Sequence, residues 1–71
     1  MSTMEIIKQI RNKIGMTQVE FADAIGTKQN TVSDYENGKA VPSIKTARII
    51  LRLAKEKKIK VTLADIFPDE E

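Results

Sequence analysis

Cysteine and histidine are both absent from this chain of 71 residues, which removes disulfides and the usual zinc ligand sets together. A domain this short lies near the lower limit for folding alone, so its apolar core must suffice without a covalent or metal staple. No glycine-rich phosphate loop can be found around its three glycines. Catalysis needs an activated nucleophile, a carboxylate pair in a pocket or a metal, and none has a counterpart here. Long apolar runs are missing too. The longest, Ala47 to Ala54, is broken by Arg48 and Arg52 and is far too short to span a bilayer. Met1 to Glu5 holds no basic residue followed by an apolar block, so it does not read as a secretory signal. These absences predict a soluble, cytoplasmic non-enzyme without cofactor, metal, membrane contact or small-molecule ligand. One domain is expected over residues 1–68, with 69–71 as a frayed acidic tail.

What is present supports one core: 41% of residues are hydrophobic. A net charge of +2 says little, but its distribution says more. Asp65, Asp69, Glu70 and Glu71 hold four of the ten acids, leaving 12 positive charges against 6 negative in the rest. Such a dipolar chain can turn one basic face to phosphates, although a solvated mixed surface looks much the same.

Helical spacing of apolar residues recurs along the chain. Ser2 and Glu5 form a capping-box pattern before Ile6, Ile7, Ile10 and Ile14, predicting a first helix from Thr3 to Ile14, stopped by Gly15. Thr17 and Glu20 repeat the pattern for a second helix, Gln18 to Ile25, ended by Gly26. A third follows from Lys28 to Glu36, with Thr27 as its start signal and Asn37-Gly38 as its breaker. Ser43 caps a fourth, Ile44 to Lys57, whose inward stripe is read as Ile44, Ala47, Ile50 or Leu51, and Ala54. Ile59-Lys60-Val61 alternates and predicts an extended connector or short strand. Thr62 and Asp65 open a last short helix, stopped at Pro68. The fold class is therefore all-α with five helices.

Residues 17 to 43, TQVEFADAIGTKQNTVSDYENGKAVPS, are the informative stretch. Phe21, Ala22 and Ile25 form one apolar stripe, Val32 and Tyr35 the next, and Gly26 allows a sharp turn between them. This is the layout of a helix-turn-helix, whose second helix can enter the major groove of DNA. The segment resembles the Cro/C-repressor (XRE-type, lambda-repressor-like) family of phage and bacterial regulators. Arg11, Gly15-Met16-Thr17-Gln18, Phe21-Ala22, Ile25-Gly26, Val32-Ser33, Tyr35-Glu36, Gly38-Lys39 and Pro42-Ser43 carry the resemblance, in order and without a gap. It implies a compact five-helix domain that binds operator DNA, usually as a symmetric dimer.

With Val32 and Tyr35 inward, the outer face of the third helix presents Gln29, Asn30, Ser33 and Asp34, with Lys28 at its entry. Gln and Asn can pair bidentately with adenine, and Asp34 could accept from a cytosine amino group while repelling phosphates. Polar residues on an exposed helix are otherwise simply solvated. The resemblance implies that Gln18 reaches a DNA phosphate, at a helix end whose free N–H groups favour anions. It implies the same for the loop with Asn37 and Lys39, which Thr31, Ser43 and Lys45 extend. Phosphate contacts position a protein and read no sequence. The family also pairs an arginine with a glutamate at Arg11 and Glu36, in a bridge fixing the first helix to the third.

Family dimers commonly use the region after the fourth helix, which here offers Val61, Leu63, Ile66 and Phe67. Leu63 or Ile66 is expected to finish the core and Phe67 to face a partner. In this reading the chain is a transcriptional repressor, because blocking an operator needs no effector domain. The alternative is an antitoxin-like protein-interaction module that also binds its own promoter.

Overall fold

The computed structural model describes residues 3–67, and side chains from Ile6 onward. The expected Ser2–Glu5 cap, the Pro68 stop and the tail 69–71 lie outside the described residues. Five helices follow one another: α1 Thr3–Ile14, α2 Gln18–Ile25, α3 Gln29–Glu36, α4 Ile44–Glu56 and α5 Leu63–Ile66. Among the described residues there is no strand, and 59–62 is a connector without regular structure that ends on extended backbone at Thr62. Its alternation therefore marks a segment with one side on the core and no partner strand.

Local chemistry explains the helix starts. Thr17 accepts the Glu20 amide, while Glu20 accepts the Thr17 amide at 2.9 Å, closing the box at α2. Ser43 caps α4 through the Thr46 amide, and Thr62 with Asp65 repeats the reciprocal cap at α5. α3 departs from expectation. Its cap is Lys28, not Thr27, and no side-chain hydrogen bond holds it.

Every helix from α1 to α4 ends in the same way. One or two residues past each helix the backbone turns left-handed, and paired amide bonds then fold back onto the last-turn carbonyls. At α2 the Gly26 and Thr27 amides reach Asp23 and Ala22; at α3 the Gly38 and Lys39 amides reach Tyr35 and Asp34. Gly15, Gly26 and Gly38 take this conformation at three ends. At the fourth it is Lys58, with φ 60°, and the Lys58 and Ile59 amides bond to Lys55 and Ala54.

The core draws on every helix: Ile7 and Ile10; Phe21, Ala22 and Ile25; Val32 and Tyr35; Ala47, Ile50 and Ala54; Ile66. Fully burying one such Ile or Phe contributes about 1.5–3 kcal/mol. Of Ile50 and Leu51, it is Ile50 that completes the α4 stripe. One expectation is corrected: Ile44 is 50% exposed, because the inward stripe of α4 starts only at Ala47. α3 packs against both α1 and α2, while α5 packs against α1 and α4. α3 thus rests mainly on two other helices, with Gln29 and Asn30 of its first turn exposed.

Candidate nucleic-acid interface

Val32 and Tyr35 are buried, which turns the opposite side of α3 outward. Gln29 and Asn30, in its first turn, are exposed, as is Lys28 at the cap. Thr31, Ser33 and Asp34 are half-buried. The five residues expected to read bases are therefore unequal, and the first turn of α3 is the part that projects. The Asp34 carbonyl is occupied by the Lys39 and Ala40 amides, at 2.8 and 3.3 Å, which close the turn after α3. Tyr35 is anchored by burial, which pushes its phenol above the usual value, with an opposing hydrogen bond from the Thr46 side chain.

Arg11 and Glu36 meet across α1 and α3. Arg11 Nε donates to Glu36 Oε2 at 2.6 Å and Nη2 donates to Oε1 at 3.2 Å, a two-point fork. The two side chains are 13% and 5% exposed. Arg11 Nη1 also donates to the Met16 carbonyl at 3.0 Å, tying down the link before α2. Forked, largely desolvated pairs of this kind are stronger and more directional than surface pairs.

A second branch grows from Glu36. Gln18 Nε2 donates to Glu36 Oε1 at 3.1 Å, and Gln29 Nε2 donates to Gln18 Oε1 at 3.5 Å. A continuous chain therefore runs from Arg11 through Glu36 and Gln18 to Gln29. The structure brings together a scaffold pair, a candidate phosphate contact and a candidate base reader that the sequence treats separately. Spacing could not reveal it, because 18 residues separate Gln18 from Glu36.

The remaining candidates lie around α3. Asn37 Nδ2 donates to Ser33 Oγ at 3.2 Å, which ties the post-helix turn back to α3. Lys39 and Lys45 are exposed. Ser43 is exposed too, but its hydroxyl accepts the Thr46 amide and donates to Thr46 Oγ1, both at 3.2 Å. In charge, α3 carries only Asp34 and Glu36, and Arg11 neutralises the latter. The positive charge beside it comes from Lys28, Lys39 and Lys45 on its flanks.

Of the apolar group after α4, Ile66 is fully buried. It is a core residue and drops out of the set expected to face a partner. Val61, Leu63 and Phe67 are half-buried and pack against the core. No helix among the described residues is long and apolar enough to cross a membrane.

Two helices at a glycine turn, with an exposed polar face on the second, define a helix-turn-helix protein. Residues 7–59 match the helix-turn-helix family, and the chain belongs to it, in its Cro/C-repressor (XRE) branch. It is a DNA-binding transcriptional regulator and not an enzyme. Similar proteins include two uncharacterised HTH-type transcriptional regulators of Archaeoglobus fulgidus. One is 35% identical, covering 92% of this chain and 89% of its own length. The other is 39% identical, covering 86% of this chain and 79% of its own. An endothelial differentiation-related factor 1 homolog from Gallus gallus is 41% identical over 55% of this chain and 26% of its own length. No solved structure matches significantly.

Proposed function

We propose that the chain is a cytoplasmic repressor that binds an inverted-repeat operator as a homodimer, with α3 of each copy in the major groove. Gln29 and Asn30 read bases, with Lys28, Ser33 and Asp34 beside them. Gln18, Thr31, Asn37, Lys39, Ser43 and Lys45 hold phosphates on either side. The observation that carries this reading is the exposed first turn of α3, where Gln29 is linked through Gln18 to the Arg11–Glu36 pair. A reader held by such a chain loses little side-chain freedom on binding, and so keeps more of its contact energy.

One reading helix covers only a few base pairs, and two copies multiply discrimination against competing genomic sites. Val61, Leu63 and Phe67 offer a modest apolar surface for that pairing. Its size suits a dimer weak in solution and firm on DNA.

Selection of bound duplexes from a random library tests the reading, and an inverted-repeat motif is the expected product. On the selected site, Gln29→Ala or Asn30→Ala should cost about 1–3 kcal/mol and relax preference locally. Lys39→Ala should weaken every duplex equally and reduce the salt slope by about 1. Enrichment of no motif, or base preference untouched by both substitutions on α3, defeats the proposal.

A further inference from the structure

The densest positive charge lies at the other end of the molecule's longest helix. Seven of the 12 lysines and arginines fall between residues 45 and 60, accompanied by one acid, Glu56. Lys55, Lys58 and Lys60 rim an open groove of about 510 Å³ whose apolar lining is Leu51, Ile59 and Val61. Lys55 stands ten residues beyond Lys45, about 15 Å along the helix axis. Among the described residues none of the three lysines has an acidic partner, since the only ion pair is Arg11–Glu36. Asp65, close by in sequence, already uses a carboxylate oxygen to accept the Thr62 amide. Lys58 also holds the left-handed backbone that glycine holds at the other helix ends. A lysine there carries charge to a site where the backbone alone would favour no side chain.

We propose that Asp69, Glu70 and Glu71 of the same chain occupy this groove and thereby keep its lysines from gripping DNA regardless of sequence. Charge and reach both support this occupant. Three carboxylates match the three ammonium groups that rim the groove, and such attraction is strongest within the roughly 8 Å over which physiological salt leaves charges unscreened. Thr62 lines the groove and caps α5. The four residues of α5 advance the chain only about 6 Å, and the four after Phe67 can extend about 13 Å. The tail can therefore double back to the groove it has just left. Phosphates must then displace carboxylates rather than loosely held counterions, which removes up to three contacts from sequence-independent binding. The ratio of specific to non-specific affinity rises accordingly. The proposal rests on DNA binding by this family and not on the operator reading.

Zero-length carbodiimide coupling of the full DNA-free chain, mixed equally from ¹⁴N and ¹⁵N material, reads the contact directly. Cross-links from Asp69, Glu70 or Glu71 to Lys55, Lys58 or Lys60 should form within one chain and exceed those to Lys8, Lys13 or Lys28. Cross-links only between chains, or spread over all lysines alike, overturn the placement. Fluorescence anisotropy with a random-sequence duplex reads the consequence. The triple change Asp69→Asn, Glu70→Gln and Glu71→Gln should steepen the salt slope by about 2–3, at roughly 0.9 per phosphate gained. In a Lys55→Gln, Lys58→Gln, Lys60→Gln background the same tail change should have no effect. An equal effect in both backgrounds, or none in either, refutes the masking. A failed operator reading would look different: no duplex would be preferred, while the slope still answered to the tail.

Discussion

Replacing Glu36 with alanine is the sharpest perturbation of this fold. Glu36 accepts three hydrogen bonds, two from Arg11 and one from Gln18. Its removal leaves a guanidinium that is only 13% exposed with the Met16 carbonyl as its one remaining partner. Breaking a buried pair on one side costs roughly 3–5 kcal/mol, because the surviving charge stays desolvated. A chain of this length has a total stability of about 4–10 kcal/mol, at 0.05–0.15 kcal/mol per residue. Glu36→Ala therefore removes a large share of it. With a urea m-value near 1 kcal/mol/M, the midpoint should fall by about 3 M. In thermal melts the drop should be at least about 12 °C, taking 4 °C per kcal/mol. Arg11→Ala should behave alike. The double change Arg11→Met with Glu36→Leu should recover most of the loss, since an apolar pair leaves no charge stranded. Urea melts followed by circular dichroism at 222 nm decide it. Both alanine variants melting within about 0.5 kcal/mol of the parent, or no recovery in the double variant, would refute the reasoning.

Lys58→Gly should stabilise the fold by about 1 kcal/mol, since glycine reaches φ 60° without a Cβ penalty, and the same melts would record it. Ala22→Leu should destabilise by about 1–3 kcal/mol through overpacking and weaken DNA binding by shifting α2 against α3. The raised pKa of Tyr35 sets a pH dependence. Folding favours the neutral phenol, so this contribution is complete below about pH 10 and is lost as pH rises through the folded value. Tyr35→Phe should flatten stability above pH 10 relative to the parent, as measured by urea midpoints across pH 8–11.

The helices are readable from the sequence because their ends carry their own chemistry. Thr17, Ser43 and Thr62 place starts, and Gly15, Gly26 and Gly38 place stops. Where that chemistry is missing, the reading slips. Lys28 caps α3 with no side-chain bond, so Thr27 looks the better candidate. Lys58 turns left-handed without being glycine, so helix 4 reads one residue too long. Ile44 belongs to the apolar period of α4 yet lies beyond the core, since a period carries no information about where the neighbouring helices end. The outward face of α3 follows from Val32 and Tyr35 alone. The Gln18–Glu36 link does not, because contacts between helices depend on packing angles that no local pattern encodes.

α3 is eight residues long, well short of the roughly 12–15 that an isolated helix needs to persist in water. Its shape is borrowed from α1 and α2. The outer face of α3 consequently has no existence apart from the folded domain, and it vanishes in the same transition that melts the core. Binding and folding become one equilibrium viewed from two sides. DNA that binds the folded form in preference to the unfolded one should therefore raise the melting point, and more so as its concentration rises. A cell that weakens this fold anywhere therefore weakens its grip on DNA, with no substitution at the DNA surface.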